Sequence, residues 1–215
     1  MIFGFDDSHG VGLRAGPDSV PDPDGDIAPS AAGGEAVAIL GGGCFWCVDG
    51  VYRQLDGVID VVSGYAGGAA DAANYEAVCR GNTGHAEVVK IRFDPSRITY
   101  GRILKIFFSV AHDPTQLNRQ GNDVGTQYRS VIFHTDEAQR DVAERYVRQL
   151  EAADVFTAPI VTELAPLDIF HDGELYHQDY AARNPTQPYI ACISAPKIRK
   201  LRENFPELLK GPDTA

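Results

Sequence analysis

Cys44 follows three consecutive glycines at residues 41–43, at the point where a short apolar run ends and a helical pattern begins. The first turn of a helix presents unpaired N–H groups and the positive end of its dipole, and both stabilise a thiolate. The thiolate is the nucleophilic form of cysteine. The sequence therefore predicts a nucleophilic thiol at a strand–helix junction, with Phe45 and Trp46 beside it as an apolar recognition surface. The alternative is a small buried cysteine among core neighbours.

A second cysteine, Cys47, completes a C-x-x-C pair. At the start of a helix this spacing allows either a dithiol–disulfide couple or half of a zinc site. A zinc site needs a second close pair of ligands, and Cys79 and Cys192 do not form one in the sequence. We therefore predict no metal, although His85 or His177 could complete a site in three dimensions.

Glu87 lies at the start of a predicted strand in which Val89, Ile91 and Phe93 face one side and charged residues face the other. Because side chains alternate along a strand, Glu87 shares the apolar side. Burial there disfavours the charged form, so we expect a raised pKa and a carboxyl that is partly protonated near neutral pH. Such a carboxyl can serve as a general acid. The alternative is a strand-end carboxylate that is turned to solvent.

Hydrophobic periodicity predicts strands and helices around these residues. The predicted strands cover residues 35–40, 58–65, about 89–93, 128–134, 159–164 and 166–170. The predicted helices run from the glycine triplet to Gly57, from a Thr99 cap to Ala111, from a Thr135 cap to Leu150, over 173–183, and over 195–210 with a break near Pro206. The core order β-α-β-β-α-β is typical of an α+β, ferredoxin-like two-layer sandwich, here with additional C-terminal helices and loops.

The overall charge excludes one class of function. The chain has 19 Lys and Arg against 30 Asp and Glu, a net charge of −11 and a pI near 4.9. A protein that binds a nucleic-acid backbone needs a basic stripe, so we expect no nucleic acid as a partner. No apolar run approaches the roughly 20 residues of a membrane span. Without a signal or transit pattern, we expect a soluble, cytoplasmic protein.

Residues 1–34 differ from the rest of the chain. They hold six aspartates against one arginine, together with four prolines and seven glycines, and they have neither helical nor strand periodicity. Such a segment buries too little apolar surface to offset the entropy of ordering. We predict a largely disordered acidic leader over 1–34 and a single domain over 35–215 that holds the candidate catalytic residues.

The segment from Gly42 to Cys47, GGCFWC, resembles the active-site signature of the A-type peptide methionine sulfoxide reductases. Six further segments resemble the family in the same order: residues 63–68 (SGYAGG), 74–79 (NYEAVC), 83–87 (TGHAE), 112–116 (HDPTQ), 120–130 (QGNDVGTQYRS) and 176–180 (YHQDY). The matches extend from about residue 35 to about residue 206. The resemblance implies an oxidoreductase without a cofactor that reduces the S epimer of methionine sulfoxide, free and in proteins, to methionine.

The resemblance also implies roles for individual residues. Cys44 attacks the sulfoxide sulfur and becomes a sulfenic acid, and Glu87 is the acid that protonates the departing oxygen. Tyr75 and Tyr128 supply the hydroxyls that bind this oxygen. Asp123 is similar to the family's substrate-orienting carboxylate, although a turn residue that bonds its own backbone is an alternative.

Two aromatic residues, Phe45 and Trp46, resemble the wall that holds the methyl group of the substrate. His177, Asp179 and Tyr180 belong to another motif of the family. We interpret these three as supporting residues, because a His–Asp pair on a helix more often caps or bridges than catalyses.

The resolving thiol is the one that condenses with the sulfenic acid. We assign it to Cys47, which is close to Cys44 in the sequence and needs no loop movement. Cys192 is the alternate or a second relay, and we expect Cys79 to be a buried structural thiol. Recycling in the family implies a thioredoxin-like dithiol reductant as a partner, and we expect a monomer.

The alternative from another functional class is a non-catalytic dithiol redox sensor or metal-binding module that uses Cys44 and Cys47. Turnover needs an acid and hydroxyl groups, which a sensor does not need. Glu87, Tyr75 and Tyr128 are all present, and they favour the enzyme.

Overall fold

A six-stranded sheet forms the centre of the computed structural model, which describes residues 12–28 and 34–211. In spatial order its strands are β7 (Glu163–Pro166), β6 (Ser130–His134), β1 (Ala36–Gly42), β3 (Ala86–Phe93), β2 (Val58–Ala66) and β8 (Phe170–Asp172). Strands β6 and β7 pair in parallel, and the other neighbours are antiparallel. Two short strands, β4 (Arg119–Gln120) and β5 (Asp123–Val124), form a separate hairpin.

The helices are α1 (Phe45–Tyr52), α2 (Tyr75–Val78), α3 (Tyr100–Ile106), α4 (Glu137–Ala152), α5 (Tyr180–Arg183) and α6 (Ala195–Asn204). A π-helical turn, Phe107–Ala111, continues α3, and a second one, Ile190–Ser194, leads into α6. The main hydrophobic core joins α1, α3 and α4 to one face of the sheet, and a smaller cluster covers the other face. The α+β class is therefore confirmed. No helix in the described ranges is long and apolar enough to span a membrane.

The sheet register places the end of β1 beside the start of β3. The two strands are antiparallel, with Leu40 opposite Val89. Glu87 follows two positions further toward the start of β3, where it lies opposite Tyr65 of β2. Because α1 begins directly after β1, the register brings Cys44 to the same end of the sheet as Glu87.

Two helix predictions differ from the structure for local reasons. The helix predicted over 173–183 is interrupted, because Asp179 adopts a left-handed conformation with φ 51° between a 3₁₀ turn at Leu175–His177 and α5. The cap of α4 is Asp136 rather than Thr135. The Asp136 carboxylate accepts the N–H of Gln139 at 2.8 Å, which satisfies a first-turn donor.

The two C-terminal strands are shifted from their predicted positions. Pairing with β6 places β7 at Glu163–Pro166 rather than 159–164, and pairing with β2 places β8 at Phe170–Asp172 rather than 166–170. The Thr99 cap is confirmed, since its hydroxyl accepts the N–H of Arg102 at 3.3 Å. The break near Pro206 is also confirmed, because α6 ends two residues before it.

The structure corrects the prediction of disorder for residues 12–28, a segment that we call the strap. Leu13 and Val20 of the strap are buried in the main core. The Asp22 carboxylate accepts hydrogen bonds from Lys105 and Arg102 of α3 at 2.7 and 2.9 Å. These anchors are single residues without periodicity, so the sequence pattern did not predict them. Residues 1–11 and 29–33 lie outside the described residues, and the division into a leader and a catalytic domain stays a prediction.

Candidate active site

The glycine triplet before Cys44 makes room for other side chains of the protein. A Cβ atom on Gly43 would lie 2.5 Å from the Gln120 side chain, and Gly43 also has a φ of 88°. A Cβ on Gly42 would lie 3.0 Å from the ring of His112. Glycine is the residue that tolerates both the positive φ and the close approach. The triplet therefore fixes the position of Cys44 at the N-cap of α1.

Glu87 is buried at the N-terminus of α1. Its side chain is 2% exposed, and its Oε2 accepts the N–H of Phe45 at 3.0 Å. Burial raises the pKa of Glu87 to about 8; the nearby charge of Asp123 adds to this, and the Phe45 N–H opposes it. The predictions of burial and of a raised pKa are confirmed. Near neutral pH this carboxyl is mostly protonated.

Burial opposes the thiolate stabilisation that the helix start was expected to give Cys44. Burial raises the pKa of the Cys44 thiol, with further contributions from Cys47 and the charge of Glu87. A first-turn N–H of α1 is already bound to Glu87. Conversely, hydrogen bonding from Cys44, the Lys197 ammonium and the Tyr189 hydroxyl together lower the pKa of Cys47. The Lys197 ammonium thus favours negative charge on the cysteine pair, whereas burial disfavours it.

The phenols of Tyr75 and Tyr128 lie near Cys44. Tyr75 begins α2, where its N–H donates to Glu174 Oε1 at 2.8 Å and its ring centroid lies 4.4 Å from that of His177. Tyr128 ends a 3₁₀ turn at Thr126–Tyr128. Burial raises the pKa of both phenols; the hydrogen bond with Cys79 adds most to this for Tyr75, and the charge of Glu87 adds most for Tyr128. Both hydroxyls are therefore neutral hydrogen-bond donors.

The indole of Trp46 is held by two residues of the YHQDY motif. It stacks on Tyr180 with centroids 3.9 Å apart, and its Nε1–H donates to Nδ1 of His177 at 3.1 Å. Burial lowers the pKa of His177, so the ring is neutral and carries its proton on Nε2. Phe45 is 1% exposed and belongs to the main core, so Trp46 rather than Phe45 presents the accessible aromatic surface.

Tyr189 received no role from the sequence, yet it connects two candidate residues. Its hydroxyl donates to the carboxylate of Asp123 in β5 and lies 3.9 Å from the sulfur of Cys47. The one feature of the sequence that could have drawn attention to Tyr189 is its position three residues before Cys192. The contact depends on the fold, because 66 residues separate Tyr189 from Asp123.

The other two cysteines lie at the surface. Cys79 is exposed at the C-terminus of α2, so the prediction of a buried structural thiol is wrong. The cause is the shortness of α2, which buries Val78 while the next side chain faces outward. Cys192 is exposed in the π-helical turn before α6. It lines a cavity of about 730 Å³ together with Cys44 and Cys47.

Metal ligation was the open alternative for the cysteine pair. Within residues 12–28 and 34–211, no group of three or more His, Cys, Asp or Glu side chains is arranged to hold a metal ion. Both ring nitrogens of His85 contact the backbone, Nδ1 accepting from the N–H of Gly68 at 3.2 Å and Nε2 lying 2.9 Å from the carbonyl of Ala69. His85 thus joins two loops.

Paired thiols next to a protonated carboxyl and neutral phenols suit oxidoreductases that transfer electrons through cysteine, since the thiols supply electrons and the acid supplies a proton. The family model described as peptide methionine sulfoxide reductase matches residues 36–209. The chain therefore belongs to the peptide methionine sulfoxide reductase family of oxidoreductases.

Individual relatives and structures agree with this assignment. The chain is 53% identical to a peptide methionine sulfoxide reductase MsrA of Chromobacterium violaceum over 174 residues, which is 81% of this chain and 98% of the relative. It is 55% identical to that of Nautilia profundicola over 76% of this chain and 92% of the relative. Reduced Mxr1 of Saccharomyces cerevisiae superposes with a TM-score of 0.66 at 32% identity, covering 75% of this chain and 91% of that one. Methionine sulfoxide reductase A of Corynebacterium diphtheriae has a TM-score of 0.61 at 31% identity, with coverages of 85% and 91%.

Proposed function

We propose that this protein reduces the S epimer of methionine sulfoxide, free and in proteins, with Cys44 as the nucleophile. The Cys44 sulfur bonds to the sulfoxide sulfur; the protonated oxygen then moves from that sulfur to Cys44 while the new sulfur–sulfur bond breaks, so that methionine leaves and Cys44 becomes a sulfenic acid. The observation that carries the proposal is the protonated Glu87 carboxyl, held by the Phe45 N–H at the same helix end as Cys44. The epimer preference rests on the family resemblance.

The acid and the two phenols serve the departing oxygen. Glu87 donates a proton as negative charge develops on the oxygen, and the Cys44 thiol proton restores it at the end of the step. Tyr75 and Tyr128 donate hydrogen bonds to the same oxygen, which stabilises the charge in a site with little water. Their raised pKa values keep both phenols protonated while they do so.

Substrate positioning falls to three residues. The accessible face of Trp46, with Phe45 beneath it, holds the methyl group by apolar contact. Asp123 orients the substrate, and its bond from the Tyr189 hydroxyl fixes the direction of the carboxylate. The rigid stack of Trp46 on Tyr180 supports this role, because a fixed wall lowers the entropy lost on binding.

Cys47 resolves the sulfenic acid in this proposal. Its thiolate attacks the Cys44 sulfur, a Cys44–Cys47 disulfide forms, and the sulfenic oxygen leaves as water after protonation. The lowered pKa of Cys47 and its position one helical turn from Cys44 support this assignment. Cys192 is the alternate, because it lines the same cavity.

We infer a ferredoxin-like core for the catalytic domain. The support is the antiparallel order β6-β1-β3-β2, with α1 between β1 and β2 in the chain, α3 between β3 and β6, and α4 after β6. The protein acts as a monomer in this proposal and is recycled by a thioredoxin-like dithiol reductant.

The test is an epimer-resolved activity assay on the wild-type protein and the four single Cys→Ser variants, with dithiothreitol as reductant. We expect reduction of the S sulfoxide alone, its loss in Cys44→Ser, and wild-type rates in Cys79→Ser. A wild-type protein that binds stoichiometric zinc and turns over neither epimer would contradict the proposal in favour of a metal-binding module.

A further inference from the structure

A cavity of about 730 Å³ lies beside the cysteine pair. Cys44, Cys47 and Cys192 line it, whereas Glu87 and the two candidate tyrosines do not belong to its described lining. Asp123 and Tyr189, which share a hydrogen bond, also line it. The cavity therefore reaches both cysteines of the pair and borders the proposed substrate site at Asp123.

Two parts of the chain that the sulfoxide chemistry does not use form the rim of the cavity. They are Gly16 and Pro17 of the strap and Pro196 and Arg199 of α6, and the strap turn contacts α6. Ile193, an apolar residue that is 39% exposed, also lines the cavity. We call these five residues the cavity rim.

We propose that the cavity rim is the docking surface of the dithiol protein that reduces the Cys44–Cys47 disulfide, and that the strap supplies one of its walls. This inference rests on the proposed function and adds the site of recycling to it. Cys47 is only 1% exposed, so a protein thiolate must enter a concave surface to reach it. The cavity is such a surface, and both cysteines of the disulfide line it.

The dithiol partner reduces the Cys44–Cys47 disulfide at this surface in two thiol–disulfide exchange steps. A thiolate of the partner attacks the sulfur of Cys47, the Cys44–Cys47 bond breaks, and Cys44 leaves as a thiolate that takes up a proton. The partner's second thiol then attacks the mixed disulfide, and Cys47 leaves. The partner is oxidised to a disulfide, and both cysteines of this chain are again reduced.

The charge of α6 indicates what kind of partner fits. The helix carries Lys197, Arg199, Lys200 and Arg202 against the single acid Glu203, in a chain whose net charge is −11. Arg199 pairs with Glu203 at 4.0 Å while remaining well exposed, so this pair is weak. A basic helix beside an apolar Ile193 complements a dithiol protein with acidic residues around an apolar active-site surface.

The strap is fixed firmly enough to be a wall. The Tyr146 hydroxyl of α4 donates to the carbonyl of Pro21 at 2.8 Å, and the Asp26 carboxylate accepts the N–H of Gly101 at 2.9 Å. These contacts and the Asp22 ion pairs lie after Gly16, and the Arg14 N–H before it donates to the carbonyl of Val155 at 3.0 Å, so both sides of Gly16 are held. A preformed surface lowers the entropy cost of docking.

The experiment compares a protein reductant with a small one. The probe is a bacterial thioredoxin kept reduced by its reductase and NADPH, and the comparison reductant is dithiothreitol. Gly16→Trp adds a bulky side chain at the cavity lining; the φ of −65° at Gly16 is compatible with any residue, and the exposed Asp18 carboxylate, 2.7 Å from the new Cβ, must rotate away. Arg199→Glu reverses the charge of the other wall. Arg148→Glu, a charge reversal at an exposed position of α4 outside the cavity lining, is the matched control.

We expect each rim variant to raise the KM for thioredoxin about tenfold, with turnover by dithiothreitol within twofold of wild type and the control unchanged in both. Added salt should raise the KM for thioredoxin in the wild-type protein and have a smaller effect in Arg199→Glu. An unchanged KM in the rim variants overturns the docking surface. A wild-type protein without dithiothreitol turnover instead overturns the proposed function, so the two failures are distinguishable.

Discussion

Glu87, rather than Cys44, binds a first-turn N–H of α1, and a cation of α6 lies near Cys47. The Phe45 N–H is bound to Glu87, and the Lys197 ammonium favours charge on Cys47. Burial keeps the Cys44 thiol and the Glu87 carboxyl protonated near neutral pH. In the proposed reaction Cys44 must therefore lose its proton as it attacks, whereas Glu87 already carries the proton that the departing oxygen needs.

The pH dependence follows from the pKa of about 8 for Glu87. We expect kcat for sulfoxide reduction to fall above pH 8 as Glu87 loses its proton. Glu87→Gln should lower kcat by about 10²–10³-fold and abolish this alkaline limb. The measurement is a pH–rate profile at saturating substrate. Glu76→Gln on the exposed side of α2 is the control, and an unchanged rate in Glu87→Gln would exclude Glu87 as the acid.

The Glu87 carboxyl also makes the free energy of unfolding depend on pH. Because folding raises the pKa of Glu87 above the ordinary value of 4.5, its contribution is most favourable below pH 4.5 and is lost as the pH rises through about 8. Removing the charge in Glu87→Gln should therefore stabilise the protein more at pH 9 than at pH 5. Urea denaturation at the two pH values measures this difference.

His177 supports Trp46 through a single hydrogen bond to the indole. Replacing it in His177→Phe leaves the buried indole N–H without an acceptor, at a cost of about 1–3 kcal/mol. We expect a higher KM for the sulfoxide with a smaller change in kcat. Trp46 is the only tryptophan of the chain, so its fluorescence reports directly on the loosened ring. An unaltered emission spectrum and KM would contradict this role.

At the scale of elements, the strand–helix junction before α1 determines where Cys44 lies. It depends on a positive φ at Gly43 and on the Gln120 side chain that occupies the space beside it. The Gln120 contact is not local, because Gln120 comes from β4, 77 residues later in the chain. The sequence therefore predicted the junction but not the reason for its glycines.

Gly43→Ala tests this junction. The new Cβ combines backbone strain with a 2.5 Å approach to Gln120, and we expect a loss of at least about 2 kcal/mol in the free energy of unfolding. Gly121→Ala is the matched control, because Gly121 also has a positive φ (56°) but no atom within 4 Å of its Cβ position. Denaturant midpoints measure both, and equal losses would show that the Gln120 contact has no effect.

At the scale of the whole molecule, residues that are distant in sequence complete the structure. The strap covers α3 and α4, and the Asp22 carboxylate faces the largely buried Lys105. The Lys105 hydrogen bond and charge lower the pKa of Asp22 below its usual value of 3.8. Its stabilising effect is therefore present above pH 3.8 and is lost as the pH falls below that value.

Asp22→Asn should destabilise the protein by about 1 kcal/mol at pH 7, a modest effect because Asp22 itself is exposed. At pH 3 the variant and the wild type should approach each other. Asp24→Asn is the control, since Asp24 contacts Gln149 through its backbone N–H, which the substitution retains. A difference that persists unchanged at pH 3 would contradict the ion-pair account.

The features that the sequence predicted are those with a local signature. The parity of β3 predicted the burial of Glu87, and periodicity predicted most helices. The strap, Tyr189 and the exposure of Cys79 were missed, because each depends on which distant surfaces meet after folding. The pairing of the cysteines, the domain boundaries and the roles of individual residues stay proposals, which the activity and peptide-mapping experiments test.

The central claim is that Cys44 takes the sulfoxide oxygen and Cys47 resolves it. The most direct measurement is a single turnover of methionine S-sulfoxide without reductant, followed by peptide mapping and methionine quantitation. We predict about one methionine per chain with a Cys44–Cys47 disulfide, and a sulfenic acid trapped on Cys44 in Cys47→Ser. Methionine formed with Cys44 unmodified, or a disulfide found only between Cys44 and Cys192, would contradict the account.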